Sequence, residues 1–211
     1  MKSLGDIERI ALSVSGWLTP HEGKFLYKAA KLLKNHKGTI VEIGSYCGKS
    51  TLYLAAGGEH VYAVDPHKGN VSGGNMKPTY DIFLKNIRKA KLQHSVHPIV
   101  KTSRSACRGW TKPIKMLFID GLHDALHAKE DYTLWSRHLV DGGIIAMHDA
   151  FCAWEGAGDV AIKNIVQNDQ YREIGVIGSI IYGIRGKPKG IQFILVHRLL
   201  RLLLINRFTS L

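Results

Sequence analysis

Apolar residues along this chain come in short runs, separated by longer stretches in which they recur every three or four positions. The runs predict buried strands at 39–43, 60–64, 95–100, 115–119 and 143–147, and the stretches between them predict helices near 49–57, 78–91, 103–109, 124–139 and 158–168. A short N-terminal helix comes first. Thr19, Pro20, His21 and Glu22 then read as a cap with proline in the first turn, opening a helix that runs to about Asn35 before Gly38 ends it. Such alternation implies a parallel sheet covered by helices on both faces. Two more apolar runs, at 172–177 and 179–185 and split by Gly178, form a closing antiparallel pair. The expectation is an α/β chain with a Rossmann-like, doubly wound, mostly parallel seven-stranded sheet. Residues 67–78 break the pattern and read as a mobile loop.

The connections carry the chemistry. Val41 to Thr51 read Val-Glu-Ile-Gly-Ser-Tyr-Cys-Gly-Lys-Ser-Thr, which suggests a phosphate loop at first sight. That loop needs four residues between its first glycine and the Gly-Lys-Ser/Thr, and only Ser45, Tyr46 and Cys47 separate Gly44 from Gly48. What remains is an acid, Glu42, near the end of an apolar strand, then Gly-x-x-x-Gly opening a helix. This resembles the first motif of class I methyltransferases that use S-adenosylmethionine (SAM). Gly44 lets the chain leave the strand sharply, and Gly48 permits close packing where the helix starts. With a donor that carries no phosphate, the helix start can face its carboxylate while Glu42 offsets its positive charge.

A second strand, Val61 to Val64, ends in Asp65, where a carboxylate can accept hydrogen bonds from both hydroxyls of a ribose. Nicotinamide enzymes share that feature, but they use Gly-x-Gly-x-x-Gly, and residue 46 is Tyr; a dehydrogenase is the more distant alternative. Strands four and five also end in acids, in Ile119-Asp120-Gly121-Leu122-His123 and Ala146-Met147-His148-Asp149. Asp120 and Asp149 would stand on neighbouring strands, close enough to share a hard divalent cation. Such a cation would lower the pKa of an acceptor hydroxyl and orient it for in-line attack on the donor methyl. His123 suits removal of the hydroxyl proton; capping of the following helix is its other reading. Ser103 follows the third strand, where the methyltransferases that the first motif resembles contact adenine; its other reading is a helix cap. Tyr46 and Trp110 are candidates to pack against flat parts of a cofactor, and Trp154 to wall the acceptor pocket.

Taken in order, these motifs resemble the methyltransferase domain 24 family over roughly residues 17–185, a family whose relatives include macrolide-sugar O-methyltransferases and cephalosporin-hydroxylase-like proteins. The resemblance implies SAM as cofactor, held by Glu42, Gly44, Ser45, Tyr46, Gly48, Ser50, Asp65, Ser103 and Asp120. It further implies Mg²⁺ or another divalent cation at Asp120, His148 and Asp149, with His123 as base and a hydroxyl on a small molecule, sugar or glycolipid precursor as acceptor. His148 departs from the pattern, since the sugar enzymes have glutamate there.

Length and composition fit one domain, residues 1–188, followed by a basic apolar segment at 189–211. Cys47, Cys107 and Cys152 are odd in number and widely spaced, which suggests a reducing compartment; with a polar N-terminus, the expectation is a cytoplasmic protein. The net charge of +12 is uneven: no acid follows Glu173, while Arg185, Lys187, Lys189, Arg198, Arg201 and Arg207 do. The C-terminal segment is compatible with a basic amphipathic helix that packs or pairs two chains as a homo-oligomer, with one that lies on a membrane surface, or with a disordered tail. A noncatalytic methyltransferase-like module docked through that tail is the competing function. Basicity also raises nucleic acid as a partner, but the sequence has no Asn/Asp-Pro-Pro-Tyr/Phe motif and no RNA-binding module, so RNA methylation ranks low.

Overall fold

The structure, a computed structural model, describes residues 3–58, 60–69, 77–150 and 156–187. Two capped helices, α1 (Leu4–Ala11) and α2 (Pro20–Leu32), precede the alternating part. Both open with a capping box, Ser3 with Asp6 and Thr19 with Glu22, in which side chain and backbone satisfy one another's free groups. There follow β1 (Thr39–Ile43), α3 (Lys49–Gly57), β2 (Val61–Val64), α4 (Tyr80–Lys89), β3 (Val96–Ile99), α5 (Ser103–Cys107), β4 (Ile114–Ile119), α6 (Ala125–Trp135), β5 (Leu139–Met147), α7 (Ala157–Ala161), β6 (Tyr171–Ile177) and β7 (Ile180–Arg185). The strands form one seven-stranded sheet in the order β3-β2-β1-β4-β5-β7-β6, with β7 antiparallel to both of its neighbours and the other pairs parallel.

The strand period of two divides the core. Ile40, Met116, Phe118, Ile144 and Ala146 pack on one face with residues of α1 to α4, such as Ile7, Leu26, Leu52 and Phe83. Val41, Ile43, Leu117, Ile119, Ile145 and Met147 pack on the other with Trp135 and Ile165. That parity places Glu42 on the α3 face, and it carries on past the end of β5 to put His148 on the face covered by α2.

Element boundaries follow the sequence reading with two differences. β5 begins at Leu139 rather than at 143, because Gly142, at φ +75°, sits in a bulge that lets Leu139 pair with Ile114 before Ile144 pairs with Met116. The helix read to 139 therefore stops at Trp135 and tightens through a 3₁₀ turn, Ser136–His138. The one read at 158–168 is α7 followed by a π-helical turn, Ile162–Val166. Most of the loop at 67–78, together with Cys152, Trp154 and the segment 189–211, lies outside the described residues. No helix among the described residues is long and apolar enough to cross a membrane.

Candidate active site

β1 pairs with β2 on one side and β4 on the other, so the chain reverses its direction of travel across the sheet between β1 and β4. Helices following these two strands leave on opposite faces and open a crevice at the strands' carboxyl ends, where ligands bind in sheets of this kind. A cavity of about 770 Å³ lies there. Of the residues marked by the sequence, Gly44, Ser45, Tyr46, Ser50, Asp65, Ser103, Asp120, His123, His148 and Asp149 line it.

Glu42 and Gly48 do not, and their parts differ from the expected direct contact. Glu42 is fully buried below the loop, where its two carboxyl oxygens each meet a hydroxyl at 2.5 Å, Ser50 Oγ and Thr51 Oγ1. It fastens the start of α3 to β1. Burial pushes its pKa up to about 8, with the two hydroxyls opposing and Asp120 and Asp65 adding to the rise. A folded-state pKa above the unfolded value means that this group's stabilisation is complete below about pH 4.5 and lost as pH rises through about 8. Glu42→Gln is therefore expected to flatten the decline in melting temperature between pH 5 and 9; an unchanged slope in thermal melts across that range would contradict it. Gly48, at φ +90°, starts α3 where a side chain would meet Phe83 at 3.1 Å.

Asp65 is anchored for a ligand on its open side. Its Oδ2 accepts the Tyr46 N–H at 2.7 Å and its Oδ1 the His67 N–H at 2.6 Å, both from residues in left-handed backbone. Lone pairs remain toward the cavity. Ser45 Oγ is buried with no hydrogen-bond partner, so a polar ligand group in the cavity would satisfy it.

At the other side of the Gly44 loop stand Asp120, His123 and Asp149, whose ligand atoms all lie within 4.8 Å of one another. His123 Nε2 is 3.4 Å from Asp149 Oδ2. The cap of α6 that competed for His123 belongs instead to Asp124, whose Oδ1 accepts the N–H groups of Leu126 and His127 while Oδ2 meets His127 Nδ1. Two carboxylates and an imidazole so close together suit a divalent ion: Mg²⁺ is held through one or two carboxylates and keeps several waters, and the imidazole would admit first-row metals as well.

His148, read from the sequence as a third metal position, is buried against Asp120 and Asp149 and stands outside the cluster formed by Asp120, His123 and Asp149. It is 4% exposed, with Nδ1 at 3.2 Å from Asp120 Oδ1 and 3.3 Å from Asp149 Oδ1, and Nε2 at 3.4 Å from Glu22 Oε2. These are ion-pair approaches rather than aligned hydrogen bonds. Burial favours the neutral ring, but Asp120, Asp149 and Glu22 outweigh it and push the imidazolium pKa up to about 12. Both ring nitrogens thus face carboxylates, which link Asp120 and Asp149 through His148 to Glu22. Glu22, marked in the sequence only as part of a helix cap, is thus the far end of a buried chain of charges. Besides the Thr19 N–H, it accepts the Ser179 N–H at 2.7 Å, and although burial opposes it, His148 and these donors hold its carboxyl well below the usual range.

At the opposite end of the cavity the structure decides between the two readings of Ser103, which lines the cavity and does not cap α5. Thr102, not Ser103, caps α5 through its hydroxyl. Ser103 Oγ accepts the Trp135 indole N–H at 2.8 Å. Trp110 packs on Tyr62 and Trp135, away from this cavity. Among the lining residues that escaped the sequence reading are Trp17 and Asp131. Trp17 follows α1 and is 67% exposed, its ring 5.5 Å from that of Tyr46, and the segment is pinned by Lys49 Nζ donating to the Gly16 carbonyl at 2.8 Å. An isolated tryptophan in a polar connection carries no local signal of the cavity it will face.

Residues 41–150, just over half of the chain, match the family model described as Methyltransferase domain. The chain belongs to this family. It is a class I SAM-dependent methyltransferase, and the matched span runs from the Gly44 loop through Asp149. Solved structures share the fold over nearly the whole length at low identity. An O-methyltransferase from Bacillus cereus in complex with S-adenosylhomocysteine (SAH) is 17% identical with a TM-score of 0.63, covering 88% of this chain and 92% of its own. The O-methyltransferase TomG from Streptomyces achromogenes, involved in tomaymycin synthesis and solved with SAM, is 15% identical with a TM-score of 0.61, over 87% and 89%. The O-methyltransferase NovP is 13% identical with a TM-score of 0.65, over 87% and 79%.

Proposed function

We propose that this methyltransferase transfers the methyl group of SAM to a hydroxyl oxygen of a small ring-bearing acceptor. The observation that carries the reading is His123, held 3.4 Å from Asp149 and beside Asp120 in the cavity that also holds the Gly44 loop and Asp65. Asp149 orients the imidazole and stabilises its protonated form. His123 takes the hydroxyl proton, the freed oxygen pair forms a bond to the methyl carbon, and the carbon–sulfur bond breaks with its electrons returning to sulfur, leaving SAH. Because the attack is in line, the protein's main work is to fix the two reactants. Asp120 and Asp149 would hold a divalent cation such as Mg²⁺, which when bound lowers the acceptor's pKa.

The exposed face of Trp17, set against Tyr46, suits the flat side of an aromatic ring or the C–H face of a sugar. Lys68 on the cavity wall favours an acidic group on the acceptor, as in a glycolipid precursor or a phosphorylated sugar. The test is SAH release from SAM over a panel of phenols, methyl glycosides and sugar phosphates, with Mg²⁺ and with EDTA. On an active acceptor, His123→Ala is expected to lower kcat by about 10²- to 10⁴-fold while SAH affinity stays unchanged. Full turnover in His123→Ala and Asp120→Ala alike would show the assignment to be wrong.

A further inference from the structure

A second cavity, of about 380 Å³, opens between α5 and the carboxyl end of α6, and its lining is basic: Arg104, Arg108, Arg137 and His138 stand around it with no carboxylate among them. Arg104 is matched, since it pairs with Glu130 and so ties α5 to α6. Arg108 and Arg137 are not: among the described residues no carboxylate stands at ion-pair distance from either. The backbone acceptors nearby are already engaged. The Leu134 carbonyl accepts the Arg137 Nε–H at 2.9 Å and the Cys107 thiol at 3.4 Å, and the Cys107 carbonyl accepts the Trp110 N–H at 3.0 Å. Arg137 is thus held through Nε, which leaves the terminal nitrogens of its fork to bind something else. The Trp110 indole N–H donates to the Lys112 carbonyl at 2.7 Å, so the ring, with Leu134, adds apolar wall rather than a polar group. Burial, and after it the Arg137 charge, lower the pKa of His138, as expected where positive charge is not offset.

Two guanidinium forks with no acid between them call for an anion with several oxygens. A phosphate monoester carries a charge of about −1.5 to −2 at neutral pH and three acceptor oxygens, which suits both forks, whereas a carboxylate offsets only one. The cavity also exceeds what an inorganic ion needs. At about 380 Å³ it falls in the range of small-molecule pockets, about 300–1,000 Å³, and Trp110 and Leu134 offer apolar surface to whatever carries the phosphate. We propose that this cavity binds a phosphate monoester of a small organic molecule, with Arg108 and Arg137 on the phosphate and Trp110 and Leu134 against the body that bears it. Arg104 lines both cavities, but Asp120, His123 and Asp149 line only the first, so this site is separate from the reacting groups and does not depend on what the first cavity holds.

Cys107 supplies a local readout, because its thiol lines the second cavity while Cys47 is buried elsewhere. The full-length protein is titrated by calorimetry with phenyl phosphate, benzoate and inorganic phosphate at fixed ionic strength, and alkylation of Cys107 by iodoacetamide is followed by peptide mass. Phenyl phosphate is expected to bind with a Kd below about 1 mM, and to slow Cys107 alkylation by about tenfold when present at about ten times Kd. Benzoate, which lacks the second charge, and inorganic phosphate, which lacks the body, are each expected to bind about fivefold more weakly or worse. Arg108→Gln and Arg137→Gln, both at exposed positions, are each expected to weaken phenyl phosphate by about fivefold or more. Thermal melts confirm folding; should Arg137→Gln unfold through loss of its bond to Leu134, Arg108→Gln, which loses no such bond, decides. Neither heat nor protection at about 10 mM phenyl phosphate overturns the proposal, as does binding that leaves Cys107 reactive or that is unchanged in the folded arginine variants. Benzoate binding as tightly as phenyl phosphate overturns the assignment to a phosphate, and inorganic phosphate doing so overturns the assignment of Trp110 and Leu134 to an organic body.

Discussion

Gly44→Ala is expected to weaken SAH binding by about a hundredfold or more, equivalent to about 2.7 kcal/mol, and to lower the melting temperature as well. Two independent effects converge at this position. The backbone is left-handed, at φ +87°, where any residue with a Cβ is strained by about 1–2 kcal/mol. The added Cβ would also lie 2.0 Å from the Asp120 carbonyl oxygen, and backbone cannot give way as a flexible side chain can. Relief requires the ends of β1 and β4 to separate, which moves the donor loop and Asp120 together. Calorimetry with SAH and a thermal melt read the two consequences, and an alanine variant that binds within about threefold of wild type would show that the loop tolerates the displacement. Gly48, whose Cβ would press on the Phe83 ring at 3.1 Å and touch Ile87 at 3.6 Å, is expected to lose less, because side chains on α4 can shift.

His148→Ala is expected to cost about 3–5 kcal/mol of stability, or about 6–20 °C in melting temperature for a chain of this size. Removing the imidazolium leaves Glu22, Asp120 and Asp149 around a buried gap with no positive charge, and an unpaired buried carboxylate is costly. The double variant distinguishes this cause from simple loss of volume. Glu22→Gln keeps an oxygen for the Thr19 and Ser179 donors but removes the buried charge. It is expected to be destabilising in wild type and much less so, or favourable, in His148→Ala, giving a coupling of about 1–3 kcal/mol. Additive melting shifts would mean that His148 acts as filler only. Because Glu22 and His148 have pKa values displaced in opposite directions, their mutual stabilisation is present at neutral pH. It is lost as pH falls below the ordinary carboxylate range, where Glu22 protonates, and as it rises toward about 12, where His148 loses its proton.

The parts of the site that were legible in the sequence are those fixed by local geometry. Gly44, Asp65, Asp120 and Asp149 each terminate an apolar run, and a strand end in a parallel sheet can point only to the crevice. His123 is carried with Asp120 by the same short connection. The residues whose part the sequence left open are those for which local pattern has two outcomes. Glu42 sits one residue before the strand end, so strand parity turns it under the loop instead of into the cavity. Ser103 follows Thr102, and either hydroxyl could have capped α5; the cap fell to Thr102 because it is the residue with extended backbone, while Ser103 already turns with the helix.

By itself the sequence determined the alternation of strands and helices, the two-sided core and the acids at the strand ends, because each depends on a period of two or 3.6 residues within one element. Only the tertiary structure decided how Glu22, His148 and Ser179 meet. Ser179 lies 157 residues from Glu22 in the chain, and the two are brought together by the β6–β7 turn, whose position depends on strand order rather than on any pattern near α2. The same holds for Asp131 beneath Gly121: which face of α6 turns to the cavity is fixed by how the helix packs on the sheet, and a buried carboxylate there looks, in sequence, like any acid on a solvated helix.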